Sequence, residues 1–206
     1  MWLDVEQNTD DWLILRSGKL TGSAIAKVMA NYGKAFGDPA KRLAADIAVE
    51  QLTGKPISNG YTNENMQRGH EQEPIARMLY ESETFCTVTN GGFYDNGFTG
   101  CSPDGLVGKD GIIEIKSVIP SVQYKRVKSM SYDKAYHWQL MDNLRESGRD
   151  WIDYVSFCAE FPHDKRLFVQ RLHKSDQSEE FKKLEARIAE FKEMVDQAKA
   201  DIEAFA

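Results

Sequence analysis

Long apolar runs and a secretion signal are both missing from this 206-residue chain. No stretch approaches the ~18 consecutive apolar residues that a membrane-spanning helix needs. The first eleven residues, MWLDVEQNTDD, are acidic and lack the basic flank and apolar core of a signal peptide. We therefore expect a protein with no membrane segment that works in the cytoplasm.

Cysteine is scarce as well. The three cysteines, Cys86, Cys101 and Cys158, are widely spaced and form no C-x-x-C pair, and the four histidines are scattered. A zinc or iron–sulfur site needs about four clustered soft ligands, so this pattern predicts neither. Small buried thiols that stay reduced are the expected state of these residues.

Positive charge is in deficit, with 26 Lys and Arg against 32 Asp and Glu and a net charge of −6. Residues 176–206 contain nine acids and five bases, so this segment holds −4 of the total and residues 1–175 hold only −2. Phosphate binding depends on local basic surface and not on the overall sum. The acidity therefore does not exclude a nucleic-acid enzyme.

The length is typical of one domain with a single core, and 41% hydrophobic with 28% charged residues indicates a globular protein. The pattern predicts an α/β (α+β) domain whose mixed central sheet is flanked by helices. We expect one domain over residues 1–206, made of a helical part at 1–84, a strand core at 85–117, helices and strands at 118–174 and a C-terminal helix at 175–205.

Several element boundaries follow from local signals. Thr21 is expected to cap a short helix, and Asp38-Pro39 is expected to begin a helix that Gly54 ends. A longer helix is predicted over residues 62–83 with Ile75 and Leu79 turned inward. Strands are predicted from alternation and turn residues over residues 85–94, 98–102, 105–108, 112–117, 151–159 and 167–173, and further helices over residues 121–130 and 134–147.

Chemistry is concentrated where Ser102-Pro103-Asp104-Gly105 is followed by Ile112-Ile113-Glu114-Ile115-Lys116. Glu114 and Lys116 are two positions apart on a strand and share one face, while Ile113 and Ile115 point to the core. Two carboxylates with a backbone carbonyl suit Mg²⁺ or Mn²⁺, which prefer oxygen ligands. The metal would activate a bound water and offset phosphodiester charge, and the ammonium would orient or help deprotonate that water. Taken alone the three residues fit a solvated strand edge almost as well.

The wider sequence resembles a known family. The PD…(D/E)xK pattern is that of restriction-endonuclease-like nucleases, and the chain is more narrowly similar to the lambda exonuclease family of YqaJ-type viral recombinases. The matching blocks cover roughly residues 10–160 and occur in the family's order. They are W-L-x-L-R-x-G-x-L-T-G-S from Trp12, G-H-E-Q-E-P-I-A-R from Gly69, C-S-P-D-G-L from Cys101 and A-Y-x-x-Q from Ala135.

The resemblance implies a role for each matched residue. Asp104 and Glu114 are implied as metal ligands, assisted by the carbonyl of Ile115, and Lys116 as the residue that positions or activates the attacking water. Glu73 resembles a helix-borne carboxylate that completes the acidic site, and Gln139 a glutamine that lines it. Glu73 on its own fits a solvated helix face, and Glu71 is an alternative ligand that a helix would turn to a different side.

A further set of matched positions implies contacts with DNA. Arg16, Ser23 and Ser102 resemble the family's pocket for the phosphate at a 5′ end, which suits the donors of a guanidinium and a helix N-terminus. Met66 falls where the family places an apolar wedge between terminal bases. The basic stretch from Lys125 to Lys128 fits either a solvated helix face or a contact with DNA phosphates.

The family frame implies a 5′-to-3′ exonuclease that acts on linear double-stranded DNA with Mg²⁺ (or Mn²⁺) and releases mononucleotides. It also implies 3′ single-stranded tails used by a single-strand annealing protein, a ring-shaped homotrimer, and a phage or prophage gene expressed in a bacterial host. Two alternatives stay open at this stage. One is an endonuclease of the same fold, and the other is a non-catalytic DNA-binding module.

Overall fold

Two sheets and seven helices make up the described part of the chain. The computed structural model describes residues 1–57 and 64–205, with side chains in the second range from Gln67 onwards. The helices are α1 Asp10–Arg16, α2 Ile25–Met29, α3 Asp38–Thr53, α4 Glu64–Thr84, α5 Pro120–Ser129, α6 His137–Ser147 and α7 Ser178–Glu203. The strands are β1 Trp2–Leu3, β2 Leu20–Thr21, β3 Val88–Thr89, β4 Phe93–Asn96, β5 Thr99–Cys101, β6 Gly105–Val107, β7 Gly111–Ser117, β8 Trp151–Phe157 and β9 Leu167–His173. None of the helices in these ranges is long and apolar enough to cross a membrane.

The larger sheet has the order β3-β6-β7-β8-β9 and carries the longest strands. Strands β7 and β8 run parallel, with Glu114 opposite Tyr154, while the other pairs are antiparallel. A parallel pair needs a long crossover, and here α5 and α6 supply it. The crossover matters for function because it returns α6 to the face of β7 that carries Glu114.

The smaller sheet has the order β1-β4-β5-β2 and includes a parallel pair between β2 and β5. Its strands β1 and β2 come from the first part of the chain, which was expected to be helical throughout. That expectation is wrong at these two places, because short extended segments pair with β4 and β5 from the strand core. The mixed central sheet is confirmed, and this second sheet is an addition to it.

Helices cover both faces of the larger sheet, which explains why β7 and β8 are nearly continuous hydrophobic runs. One face of β7 carries Ile112 and packs with α6 and α7, and the other carries Ile113 and Ile115 and packs against Ala76 and Tyr80 of α4. Ile113 and Ile115 were expected in the core, and both are buried. Glu114 and Lys116 follow the alternation of Ile112 and therefore lie on the α6 side.

Several boundaries match the sequence signals. Helix α3 begins at Asp38, with Pro39 in its first turn, and Gly54 ends it in a left-handed conformation. Helix α6 is preceded by a 3-10 turn at Lys134–Tyr136, and α7 by another at Lys174–Asp176. The C-terminal helix therefore begins at Ser178, three residues later than expected.

Three local expectations are wrong. Thr21 lies in β2 and does not cap α2, whose N-cap position is Ala24. Ile75 is 46% exposed, because α4 turns Ala76 and Tyr80 toward the sheet in its place. Residues 85–94 form two strands in different sheets, since Gly91 and Gly92 interrupt the run.

Candidate active site

Asp104 is attached to the strand that carries the other catalytic candidates. Its backbone N–H donates to the carbonyl of Ile113 over 3.0 Å, and its Oδ2 accepts the N–H of Ile115 over 2.6 Å. Both bonds reach β7 beside Gly105, where β6 begins, so Asp104 extends the β6–β7 hairpin through one backbone and one side-chain contact. The bond from Ile115 also orients Asp104 toward the cleft, whose lining includes Lys116.

Glu114 is the most buried carboxylate of the site, with 1% of its surface exposed. Its Oε1 accepts from Lys116 Nζ over 2.5 Å and from Gln139 Nε2 over 2.6 Å. Its Oε2 accepts from Asn143 Nδ2 over 2.8 Å. A buried charge is tolerated only when it is paired and hydrogen-bonded, and these three donors meet that requirement.

Helix α6 supplies two of those donors from one side. Gln139 and Asn143 are four positions apart and therefore neighbours on the helix surface. Gln139 was expected at the site, whereas Asn143 was missed by the sequence reasoning. Its position one turn after Gln139 was the available signal, and its complete burial distinguishes it from an ordinary surface amide.

Lys116 completes the centre from the exposed end of β7. Its ammonium lies 2.5 Å from Glu114 and 4.9 Å from the centre of the Tyr136 ring. Burial acts to lower the pKa of Lys116, but the attraction of Glu114 and Asp104 outweighs it and holds the pKa above its ordinary value. The side chain is therefore a cation at neutral pH, suited to orienting a water and offsetting phosphate charge, and not to accepting a proton.

Acidic groups are crowded around this cation. Glu73 on α4 and Asp104 line the same cleft. Burial, followed by repulsion from Glu114, raises the pKa of Glu73 and holds that of Asp104 well above its usual range. Closely spaced hard oxygen donors whose negative charges oppose one another are the chemistry that a divalent cation relieves.

The backbone adds an oxygen at the same place. In a strand the N–H and C=O of one residue point to the same edge, so the carbonyl of Ile115 faces the side on which Asp104 binds its N–H. In the described ranges, no three His, Cys, Asp or Glu side chains are arranged to hold a metal by themselves. The residues that fit Mg²⁺ are therefore the Asp104 and Glu114 carboxylates with the Ile115 carbonyl, while waters complete the shell and Glu73 lies nearby.

A small cavity of about 170 Å³ adjoins the centre, and we call it the Arg16 pocket. Arg16 in it donates to Ser102 Oγ over 3.2 Å and to Ser23 Oγ over 3.4 Å, and its guanidinium lies 4.0 Å from the centre of the Trp12 ring. Trp12 Nε1 also donates to Ser102 Oγ over 2.9 Å. Burial lowers the pKa of Arg16 to about 10, so the group is still charged at neutral pH.

A larger cavity of about 660 Å³, which we call the main cleft, also opens at the centre. Asp104, Lys116 and Ser23 line both cavities. Asp104 and Lys116 therefore lie where a small pocket with Arg16 adjoins a larger cleft. The cleft has the volume of a typical ligand site, whereas the pocket is far smaller.

The structure thus places eight predicted residues around two adjoining cavities: Arg16, Ser23, Glu73, Ser102, Asp104, Glu114, Lys116 and Gln139. Glu71, the alternative to Glu73, is exposed and accepts a hydrogen bond from Gln67. The side chain of Met66 is outside the described residues. In the basic stretch of α5, Lys125 and Lys128 are exposed and Arg126 lies 3.7 Å from Asp133.

The cysteines form no disulfide with one another, and Cys101 and Cys158 are buried as expected, while Cys86 is partly buried. Burial raises the pKa of Cys101 well above its ordinary value, and the nearby Asp142 and Glu146 add to this effect. A thiol in that state is protonated and unreactive. We therefore assign Cys101, the cysteine next to Ser102, no part in the chemistry.

The fold and the acidic centre define a nuclease of the PD-(D/E)xK type. The model of the YqaJ-like viral recombinase domain matches residues 11–150, and the chain belongs to that family. No curated protein sequence is matched by the chain.

Solved structures of exonucleases resemble most of the chain. An alkaline exonuclease, LHK-Exo from Laribacter hongkongensis, is 31% identical with a TM-score of 0.79, covering 96% of this chain and 100% of its own. Its complex with dAMP gives 32% identity, a TM-score of 0.80 and the same coverage. A phage-related exonuclease from Haemophilus somnus 129PT, 18% identical with a TM-score of 0.65 over 89% of this chain and 96% of its own, shares the fold. Family and neighbours support a nuclease role.

Proposed function

We propose that this protein is a Mg²⁺-dependent 5′-to-3′ exonuclease that degrades one strand of linear double-stranded DNA and releases 5′-mononucleotides. The observation that carries the proposal is the adjacency of two sites. The centre of Asp104, Glu114 and Lys116 shares lining residues with a small pocket, of about 170 Å³, in which Arg16 is directed at two serine hydroxyls. A single terminal phosphate, bound by the guanidinium and these hydroxyls, suits a pocket of this size and chemistry.

The chemistry follows from the side chains. Arg16, Ser23 and Ser102 bind the 5′ phosphate and thereby set the distance from the strand end to the cleaved bond. A water oxygen attacks phosphorus as the bond to the 3′ oxygen of the first nucleotide breaks, which leaves the next nucleotide with the new 5′ phosphate. Lys116 orients the water and offsets charge on the phosphoryl oxygens. Mg²⁺ held by Asp104, Glu114 and the Ile115 carbonyl would acidify that water and stabilise the transition state.

Gln139 and Asn143 act on the centre through Glu114. Their amides fix the orientation of a carboxylate that burial would otherwise destabilise. Glu73, across the cleft, stands close enough to the centre for its pKa to respond to Glu114 and Lys116. It would complete the acidic site and supply a ligand if a second ion binds.

A direct test uses linear duplex DNA labelled at either end, with Mg²⁺, and compares wild type with Lys116→Ala. We expect the wild type to release labelled mononucleotide from 5′ ends first, to leave 3′ single-stranded tails, and to stop on chelation. The variant should be slower by about a hundredfold or more, the typical effect of removing one group that stabilises the transition state.

The matched control is Lys109→Ala, because Lys109 is an exposed lysine in the turn that precedes the same strand. It should retain wild-type activity. Release from 3′ ends, cutting of a closed circular plasmid, or equal activity of wild type and Lys116→Ala would each contradict the proposal. Cutting of the plasmid would indicate the endonuclease alternative.

Family membership supports two further parts of the proposal. The 3′ tails would be used by a single-strand annealing protein in recombination, in the cytoplasm of a bacterial host that carries the phage or prophage. The protein would act as a ring-shaped homotrimer around DNA, which would separate its acidic exterior from local basic patches. Light scattering should then give about three times the 23.4 kDa chain mass, and a monomeric mass at working concentration would contradict the ring.

A further inference from the structure

Arg68 lines the main cleft and not the Arg16 pocket, and none of the roles above uses it. It is on α4 and is partly buried, and its Nη2 donates to the carbonyl of Ser117 over 3.4 Å. Its Nε is buried without a hydrogen-bond partner among the described residues. No carboxylate of the described ranges lies within 4.0 Å of its guanidinium, which lines the main cleft without an ion-pair partner there.

Ser117 stands beside it. This residue follows Lys116 at the end of β7, and its Oγ is buried without a partner among the described residues. Buried hydroxyls are nearly always hydrogen-bonded in folded proteins. Two neighbouring side chains with unused donors on one wall of a cleft point to a ligand that accepts hydrogen bonds.

The position of the pair identifies the ligand. Arg16 lies in the Arg16 pocket and Arg68 in the main cleft, and the two cavities meet at Asp104 and Lys116. A guanidinium group therefore lines each of the two cavities that adjoin the acidic centre. A nucleotide strand that crosses the centre from one cavity to the other presents a phosphate to each, because phosphates repeat once in every nucleotide.

We propose that Arg68 and Ser117 bind the phosphate that follows the cleaved bond in the 3′ direction. This inference rests on the proposed function and deepens it, since the site would then bind three successive phosphates of one strand. Arg16 holds the terminal phosphate, the acidic centre holds the scissile one, and Arg68 holds the next. A guanidinium suits the task because its planar fork can donate two parallel hydrogen bonds to phosphate oxygens.

The alternative role for Arg68 is structural. Its bond to the Ser117 carbonyl links α4 to β7, and a purely structural clamp would affect all substrates alike. The bond is long at 3.4 Å, near the limit at which a hydrogen bond still contributes. The two roles are separated by a substrate that lacks the third phosphate.

The experiment compares two short substrates in Mg²⁺. The 5′-phosphorylated dinucleotide contains only the terminal and scissile phosphates, and the 5′-phosphorylated trinucleotide adds the following one. In the wild type, kcat/KM should be about ten- to a hundredfold higher for the trinucleotide, the value of one charge-assisted hydrogen-bonded contact. Arg68→Ala should bring that ratio close to one, and Arg68→Lys should keep part of it.

Two controls complete the design. A trinucleotide with an uncharged methylphosphonate at the third position should lose the advantage in the wild type and show no further loss in Arg68→Ala. Arg42→Ala, at an exposed arginine of α3 outside both cavities, should keep the wild-type ratio.

The outcomes distinguish the inference from the function on which it rests. An equal loss on both substrates in Arg68→Ala, or no advantage of the trinucleotide in the wild type, overturns the subsite and leaves the nuclease intact. If the wild type also fails to degrade linear duplex DNA, the proposed function falls and takes the subsite with it. If it degrades the duplex but neither short substrate, the methylphosphonate is placed at the third position of a 5′-phosphorylated duplex, and an unchanged rate of release of the first nucleotide overturns the subsite.

Discussion

The side-chain amide of Asn143 donates to Oε2 of Glu114 over 2.8 Å, and both residues are 1% exposed. This bond joins the middle of α6 to the middle of β7 across 29 positions of sequence. It fills the side of the carboxylate that Lys116 and Gln139 leave open. The orientation of this carboxylate therefore depends in part on a residue to which we assign no chemical step.

Asn143→Ala should weaken both stability and catalysis, because it leaves a buried carboxylate oxygen without its donor. We expect the free energy of unfolding in urea to fall by about 1–3 kcal/mol. Nuclease activity should fall as well, with a larger Mg²⁺ requirement, since Glu114 is less well oriented. Gln197→Ala removes an exposed amide on α7 and should change neither quantity. Unchanged Mg²⁺ dependence in Asn143→Ala would show that the bond is only structural.

Gly91→Ala should disturb the loop that carries Asp104. A β-carbon on Gly91 would lie only 1.7 Å from the Pro103 carbonyl oxygen, so the backbone before Asp104 must move. We expect a loss of about 1–3 kcal/mol in the free energy of unfolding and reduced nuclease activity. Gly69→Ala is the control for stability alone, because nothing lies within 4 Å of the added carbon. It should be neutral or stabilising, as alanine is preferred within a helix.

Asp142 should make stability depend on pH. Burial raises its pKa from 3.8 to about 7, although the neighbouring Arg145 opposes the shift. Between these two values the folded state binds a proton that the unfolded state has lost, so stability falls as pH rises and is lowest above about pH 7. Asp142→Asn lacks this penalty. Relative to wild type, its free energy of unfolding should rise by on the order of 3 kcal/mol from pH 4.5 to pH 8.

Urea titrations of both proteins at several pH values measure this difference. Asp150→Asn, at an exposed aspartate, should follow the wild-type curve at every pH. A constant difference between Asp142→Asn and wild type would mean that Asp142 is charged in the folded state throughout the range.

Arg16→Ala should reduce discrimination between DNA ends. If Arg16 binds the terminal phosphate, the wild type should degrade 5′-phosphorylated ends about ten- to a hundredfold faster than 5′-hydroxyl ends. The variant should lose most of that preference, and Arg16→Lys should retain part of it because the charge remains. Initial rates on the two matched duplexes provide the ratio. A preserved ratio in Arg16→Ala would remove this residue from end recognition.

Predictions from sequence succeeded where local geometry decides. The two-residue spacing of Glu114 and Lys116 placed them on one face of β7, and the helix signals at Asp38 and Gly54 matched α3. Family resemblance extended this to Arg16, Ser102 and the other matched positions, which the structure brings to adjoining cavities. Their catalytic roles stay predictions until the variants are measured.

The errors share a physical cause. The helical pattern predicted that Ile75 points inward, but such a pattern does not specify which face of the helix meets the sheet. In the structure Ala76 and Tyr80 pack against β7 instead. The sequence pattern predicted one strand over residues 85–94. In the structure Gly91 lies close to Pro103, and the residues before and after it belong to different sheets. Each outcome depends on a partner far away in the sequence.

The sequence by itself determined which side chains could do the chemistry, because the alternation of a strand and the ends of helices are local properties. Only the tertiary structure decided how those side chains behave. The pKa of Asp104 depends on its burial and on the charges of Glu114 and Glu73. The orientation of the Glu114 carboxylate depends on hydrogen bonds from two side-chain amides of α6. Burial and electrostatic coupling arise between residues distant in the chain, and they exist only once the chain is folded.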